Sequence, residues 1–97
     1  MVFLAQCAPS TMPAVSEEMV ALSPVDRDHL ENGRAVYRQA CANCHDPIAV
    51  RGKSAAYWTG YVPHMADHAD LLPADQADLL NYLVAAQLEA TPRKQRD

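Results

Sequence analysis

Cys41-Ala42-Asn43-Cys44-His45 is the stretch on which the reading of this chain turns. A Cys-x-x-Cys-His run is the signature of covalent c-type haem attachment. Two thiols on one helical turn can each add to a porphyrin vinyl group and form a thioether. The residue that follows, His45, is then placed to give an imidazole nitrogen to the iron as proximal ligand. A group held this way cannot dissociate, and it fills the middle of a domain too small to build a large core. Cys41 and Cys44 are therefore read as haem anchors and His45 as an axial ligand.

The flanks are read outward from that run. Upstream, Ser23-Pro24-Val25-Asp26 reads as a helix start, with Ser23 as N-cap, Pro24 in the first turn, and Asp26 and Asp28 at the positive end of the dipole. Leu30, Gly33, Val36, Tyr37 and Ala40 follow at helical spacing and lead into the cysteines. Gly33 costs about 1 kcal/mol relative to alanine inside a helix. It lies one turn before Tyr37 on the same face, so the spacing predicts close approach of another helix there. Downstream, Asp46-Pro47 closes the motif and Ile48 to Lys53 reads as a loop. Ser54 is placed to cap a short helix running to about Val62, with Trp58 and Val62 on one face. Gly60 and Pro63 predict a break, leaving 64–70 irregular. Leu71-Leu72-Pro73-Ala74-Asp75 opens a last helix. Its apolar face takes Leu79, Leu80, Leu83, Ala86 and Gln87, with Tyr82 beside it, and it frays by Ala90. No internal repeat is visible.

This pattern resembles class I cytochrome c domains over roughly 24–88. Gly33 and Tyr37 precede Cys41-x-x-Cys44-His45 as in that family's first helix. Leu72-Pro73-x-Asp75 followed by Tyr82-Leu83 is similar to its closing helix. Trp58-x-x-x-Val62-x-x-Met65 is similar to a stretch in small haem subunits of periplasmic dehydrogenases, sulfite-oxidising ones among them, where it carries the axial methionine. The resemblance implies an all-α fold of three to four helices around one covalent haem c, crossing at a glycine–aromatic contact. It also implies one-electron transfer between redox partner proteins, as a shuttle or as the haem subunit of a dehydrogenase, rather than catalysis by the chain itself. Gly60 and Pro63 interrupt the methionine stretch. The loop after His45 lacks a copy of the proline that accepts a hydrogen bond from the proximal histidine, and Pro47 is poorly placed for it.

For the sixth ligand, Met65 lies just before the closing helix, where a distal loop is expected. A thioether favours Fe(II) and raises the potential relative to two imidazoles. His64 and His68 flank it as rivals, and a site left open to gas is the third possibility. Trp58, Tyr57 and Tyr61 are candidates for packing against the haem, or plain core. Arg51 and Lys53 are candidates for its propionates, or a solvated loop. A different class uses the same residues: Cys41, Cys44, His64 and His68 have the pair spacings of a Cys2His2 zinc module, structural and without a redox role. The acidic balance, the helix before the cysteines and the idle His45 and Met65 stand against it.

Composition bounds the rest. The chain has 97 residues and a formal net charge of -4, which disfavours general nucleic-acid binding and suits a partner with a basic patch. Haem attachment of this kind takes place outside the cytoplasm, so a periplasmic or other extracytoplasmic site is expected. Residues 1–22 read as a signal remnant or flexible tail, 23–90 as the domain, and 91–97 as a charged tail. With three cysteines, Cys7 is the odd one. Leu4-Ala5-Gln6-Cys7 resembles a bacterial lipoprotein cleavage box, with Gln6 departing from it. Cys7 reads either as a lipidated anchor, the only expected membrane attachment, or as a free thiol.

Overall fold

A computed structural model of the chain describes residues 12–42 and 53–92. Among them lie four helices and no strand: α1 (Glu17–Leu22), α2 (Arg27–Ala42), α3 (Ala55–Ala69) and α4 (Pro73–Ala90). The all-α class read from the sequence is what the chain adopts. The last helix is the hub, packing against each of the other three.

Local chemistry sets the boundaries. Ser16 caps α1 by accepting the Met19 amide at 3.1 Å, and Glu17 and Glu18 occupy the positive first turn. The helix ends at Ser23, which is extended (φ -99°, ψ 150°), as a residue before proline prefers. For the same reason Ser23 does not start α2. Its hydroxyl accepts the Val25 amide, and the cap passes to Asp26, whose carboxylate accepts the His29 amide and whose carbonyl accepts that of Leu30. Helix α2 thus begins three residues later than its sequence signals suggest. Its predicted face is the buried one: Leu30, Gly33, Val36 and Tyr37 all lie inside.

The closest packing is where α2 crosses α4. A β-carbon added to Gly33 would lie 2.1 Å from the Asp78 carbonyl oxygen and 2.7 Å from the Tyr82 Cβ. The glycine predicted to admit a second helix does so, and the aromatic across from it is Tyr82. That ring is wholly buried in the core rather than beside it. The buried arc of α4 takes in Leu79, Tyr82, Leu83, Ala85 and Ala86, broader than one stripe because three helices meet it. Gln87, expected on the apolar face, keeps its Oε1 buried without a hydrogen-bond partner.

Helix α3 starts where expected, with Ser54 accepting the Tyr57 amide. It does not break at Pro63 but runs to Ala69, so 64–70 is not irregular. An interior proline costs about 3 kcal/mol by removing one backbone hydrogen bond and crowding the preceding turn. Here the lost amide faced Thr59, and Thr59, Gly60 and Pro63 are all exposed, so the freed carbonyl lies on the solvent side of the helix. The opposite face, Trp58, Val62 and Ala66, is buried and holds both halves of the helix against the core. The helix stops at Asp70 in the left-handed region (φ 58°), with the Leu71 amide bonding back to the Ala66 carbonyl.

Residues 12–22, expected as a tail, are packed on the domain. Met12 and Met19 are 1% and 0% exposed. The stretch is held largely through its backbone. Arg34 donates to the carbonyls of Met12 and Pro13, Tyr82 Oη donates to Pro13 at 2.6 Å, and Arg27 donates to Val15. Arg27 also pairs with Glu17 at 2.7 Å, and the Ser16 hydroxyl donates to Glu89. Removing one such hydrogen bond should cost about 0.5–1.5 kcal/mol. Tyr82→Phe is expected to lose that much in chemical denaturation, and nothing further in a chain lacking residues 1–15. Equal losses in both backgrounds would place the hydroxyl's role elsewhere.

Candidate functional site

The motif begins in the last turn of α2, where the backbone of Cys41 lies. Asn43, Cys44, His45 and Arg51 fall outside the described residues, as does Cys7. What the fold describes is the frame on either side. Cys41 follows Tyr37 by one helical turn, so it continues the α2 stripe of Leu30, Gly33 and Tyr37. The Tyr37 ring meets Trp58 of α3 edge-on at 6.2 Å between centroids. Trp58 is 0% exposed, and from it Val62 and Met65 follow at helical spacing along α3. The end of α2 that carries Cys41 and the helix that carries Met65 are thus tied together by one aromatic contact. The sequence reading did not pair Tyr37 with Trp58, since no local signal links positions on different helices.

The three aromatics read as haem-packing candidates form one cluster. Tyr57 and Tyr61 stack at 5.4 Å, and Trp58 is edge-on to both at 5.3 and 6.0 Å. His64 extends the Tyr57–Tyr61 row, its ring 5.9 Å from Tyr61 and its side chain exposed. His68 stands one turn further along α3 on the same register. The two rival histidines are therefore in register with Tyr57 and Tyr61, whereas Met65 is in register with Trp58 and Val62. Lys53 places its ammonium 5.0 Å from the Tyr57 ring centroid, an exposed cation–π contact.

Among the described residues no three His, Cys, Asp or Glu side chains converge on a metal position. No described helix is long and apolar enough to cross a membrane. The titrating group that stands out is at the other end of α2: His29, whose imidazole is raised above its ordinary value by its hydrogen bond to Asp78 and then by that carboxylate's charge. The sequence reading passed over His29 and left Met12 and Met19 in the tail before the first helix. For the methionines a signal was present: Ser16 followed by Glu17 and Glu18 is a helix start in its own right.

No family model, curated protein or solved structure matches this chain.

Proposed function

We propose that the chain is a monohaem c-type electron-transfer domain that moves one electron at a time between redox partner proteins. The observation that carries this reading is Cys41-x-x-Cys44-His45 starting in the last turn of a helix that crosses α4 at Gly33. The donor set fits the group. Two thiols and an imidazole come in the order thioether attachment needs, and a methionine lies on the helix that Trp58 ties to the motif. Cys41 and Cys44 would anchor the haem, with His45 and Met65 as its axial ligands. The haem, when bound, supplies the Fe(III)/Fe(II) couple.

The protein's own residues do the remaining work. Tyr37, Trp58 and Val62 exclude water from the ground between α2 and α3. Tyr57 and Tyr61 form the half-exposed border of that ground. Lys53 and Arg51 bring positive charge to the loop after the motif, on a chain whose net charge is -4. That acidic balance favours a partner with a basic docking patch, engaged weakly and briefly. A periplasmic or other extracytoplasmic location belongs to the same proposal, because the attachment chemistry operates there. The chain then works as a shuttle or as the haem subunit of a dehydrogenase, and copurification with a larger cofactor-bearing chain separates the two.

The test is expression beside c-type haem maturation machinery. One haem is expected to stay with the chain through denaturing electrophoresis and to add its mass to the polypeptide. Cys41→Ser with Cys44→Ser should lose it completely. Met65→Ala should keep the haem but lose the far-red sulfur-to-iron band of the oxidised form and lower the potential. A colourless wild-type protein, or one loaded with zinc, would overturn the proposal.

A further inference from the structure

Three α2 residues grip a single residue of α4. His29 Nδ1 lies 2.8 Å from Asp78 Oδ1. Asn32 Nδ2 donates to Asp78 Oδ2 at 2.8 Å and to Asp75 Oδ1 at 3.0 Å. Gly33 packs against the backbone carbonyl of the same Asp78. The polar cluster is therefore part of the closest approach of the two helices. Asp78 is mostly covered, its side chain 13% exposed, while His29 is open to solvent at 55%. A proton can reach the imidazole freely, yet its partner carboxylate is held in the crossing.

We propose that His29, Asn32, Asp75 and Asp78 form a proton-operated latch on the α2–α4 crossing. It is closed while His29 is an imidazolium and loosened when that proton leaves. The inference does not depend on the haem reading. The groups acting on His29 are Asp78 from α4, and Asp26 and Asp28 from its own end of α2. Asp75 is held beside them by Asn32. Among the described residues no charged group of α1 or α3 acts on it. The neighbouring cation, Arg27, is engaged by Glu17 and Glu31 at 2.7 and 3.6 Å. Once His29 is neutral, Asp78, Asp26 and Asp28 lose the charge they face across this end of the crossing.

The sign follows from linkage. The hydrogen bond to Asp78 and then its charge raise His29 above the ordinary 6.5, against a smaller opposing effect of desolvation. A group raised on folding contributes fully below its unfolded value, and the contribution is lost as pH rises through the folded value. The latch thus holds in mild acid and opens as pH climbs past the raised midpoint. Added salt weakens it, since His29 is exposed.

Two readouts on the full chain test this: the imidazole resonances of His29 against pH, and the exchange protection of the Gln76 to Leu80 amides over the same range, corrected for intrinsic base catalysis. The titration midpoint is expected above 6.5, with amide protection falling across that midpoint. Asp78→Asn should bring the midpoint down and remove the pH-dependent step. His29→Gln should give protection that does not change over this range. A wild-type midpoint at or below the ordinary value, or protection that stays flat through it, overturns the latch. Both are read on the wild type, so a variant that fails to fold leaves the test intact.

Discussion

Gly33→Ala is expected to destabilise the domain by about 3 kcal/mol, the upper end of what overpacking a core costs. One added methyl would sit 2.1 Å from the Asp78 carbonyl oxygen and 2.7 Å from both its carbon and the Tyr82 Cβ. All three atoms belong to helix backbone or are fixed to it, so no side-chain rotation relieves the overlap. The helices must move apart, and Leu30, Val36, Leu79 and Leu83 lose packing with them. Higher helix propensity returns only about 1 kcal/mol, so the clash decides the sign. For a domain of this size the melting temperature should fall by roughly 10–20 °C. Gly60→Ala is the matched control. Nothing lies within 4 Å of its β-carbon position, and the residue is exposed in the middle of α3. There the propensity gain acts alone, up to about 1 kcal/mol. Thermal denaturation of the two variants should show shifts of opposite sign. A Gly33→Ala protein as stable as wild type would mean that the helices do not cross there.

Trp58→Ala should cost about 3–5 kcal/mol. Trp58 is the largest fully buried side chain, and it touches Tyr37, Tyr57 and Tyr61 edge-on. The loss is large against the total stability of about 5–15 kcal/mol usual for a native domain. Trp58→Phe keeps an aromatic ring and removes less volume, so it should cost clearly less. Because Trp58 is the only tryptophan, denaturation is followed by circular dichroism and not by fluorescence. A loss for the alanine variant below about 1 kcal/mol would be inconsistent with a core position. The same ring joins α2 to α3, so the alanine variant also releases the end of α2 from the helix that bears Met65.

How far the chain could be read in advance depended on the range of the interaction. Gly33 was legible because it breaks helix propensity on an otherwise apolar face, and close approach is the usual reason for that choice. The face of α2 was legible for the same kind of reason, since its period is local. Pro63 misled because the proline rule counts one lost amide bond, whereas Trp58, Val62 and Ala66 keep the helix continuous by burial among distant residues. Ser23 misled because two good caps stand three residues apart. The conformation imposed by Pro24 made Ser23 the end of α1 and left Asp26 to begin α2. Met12 and Met19 were left in the tail because Arg34, Tyr82 and Glu89, which hold their segment, are far along the chain. At the candidate site, the stripe from Trp58 to Met65 follows from spacing, but its contact with Tyr37 does not.

By itself the sequence determined the helical class, the order of the last three helices, the glycine at the crossing and the Cys-x-x-Cys-His run that starts in the last turn of α2. These depend on period, capping and residue chemistry within a few positions. The tertiary structure alone decided that residues 12–22 belong to the core, that α3 passes through Pro63, and that His29 and Asn32 close on Asp78. Arg34 and Tyr82 bind main-chain carbonyls, which every residue carries, so no residue pattern announces the clamp. His29 and Asp78 meet only because Gly33 lets two backbones come within reach.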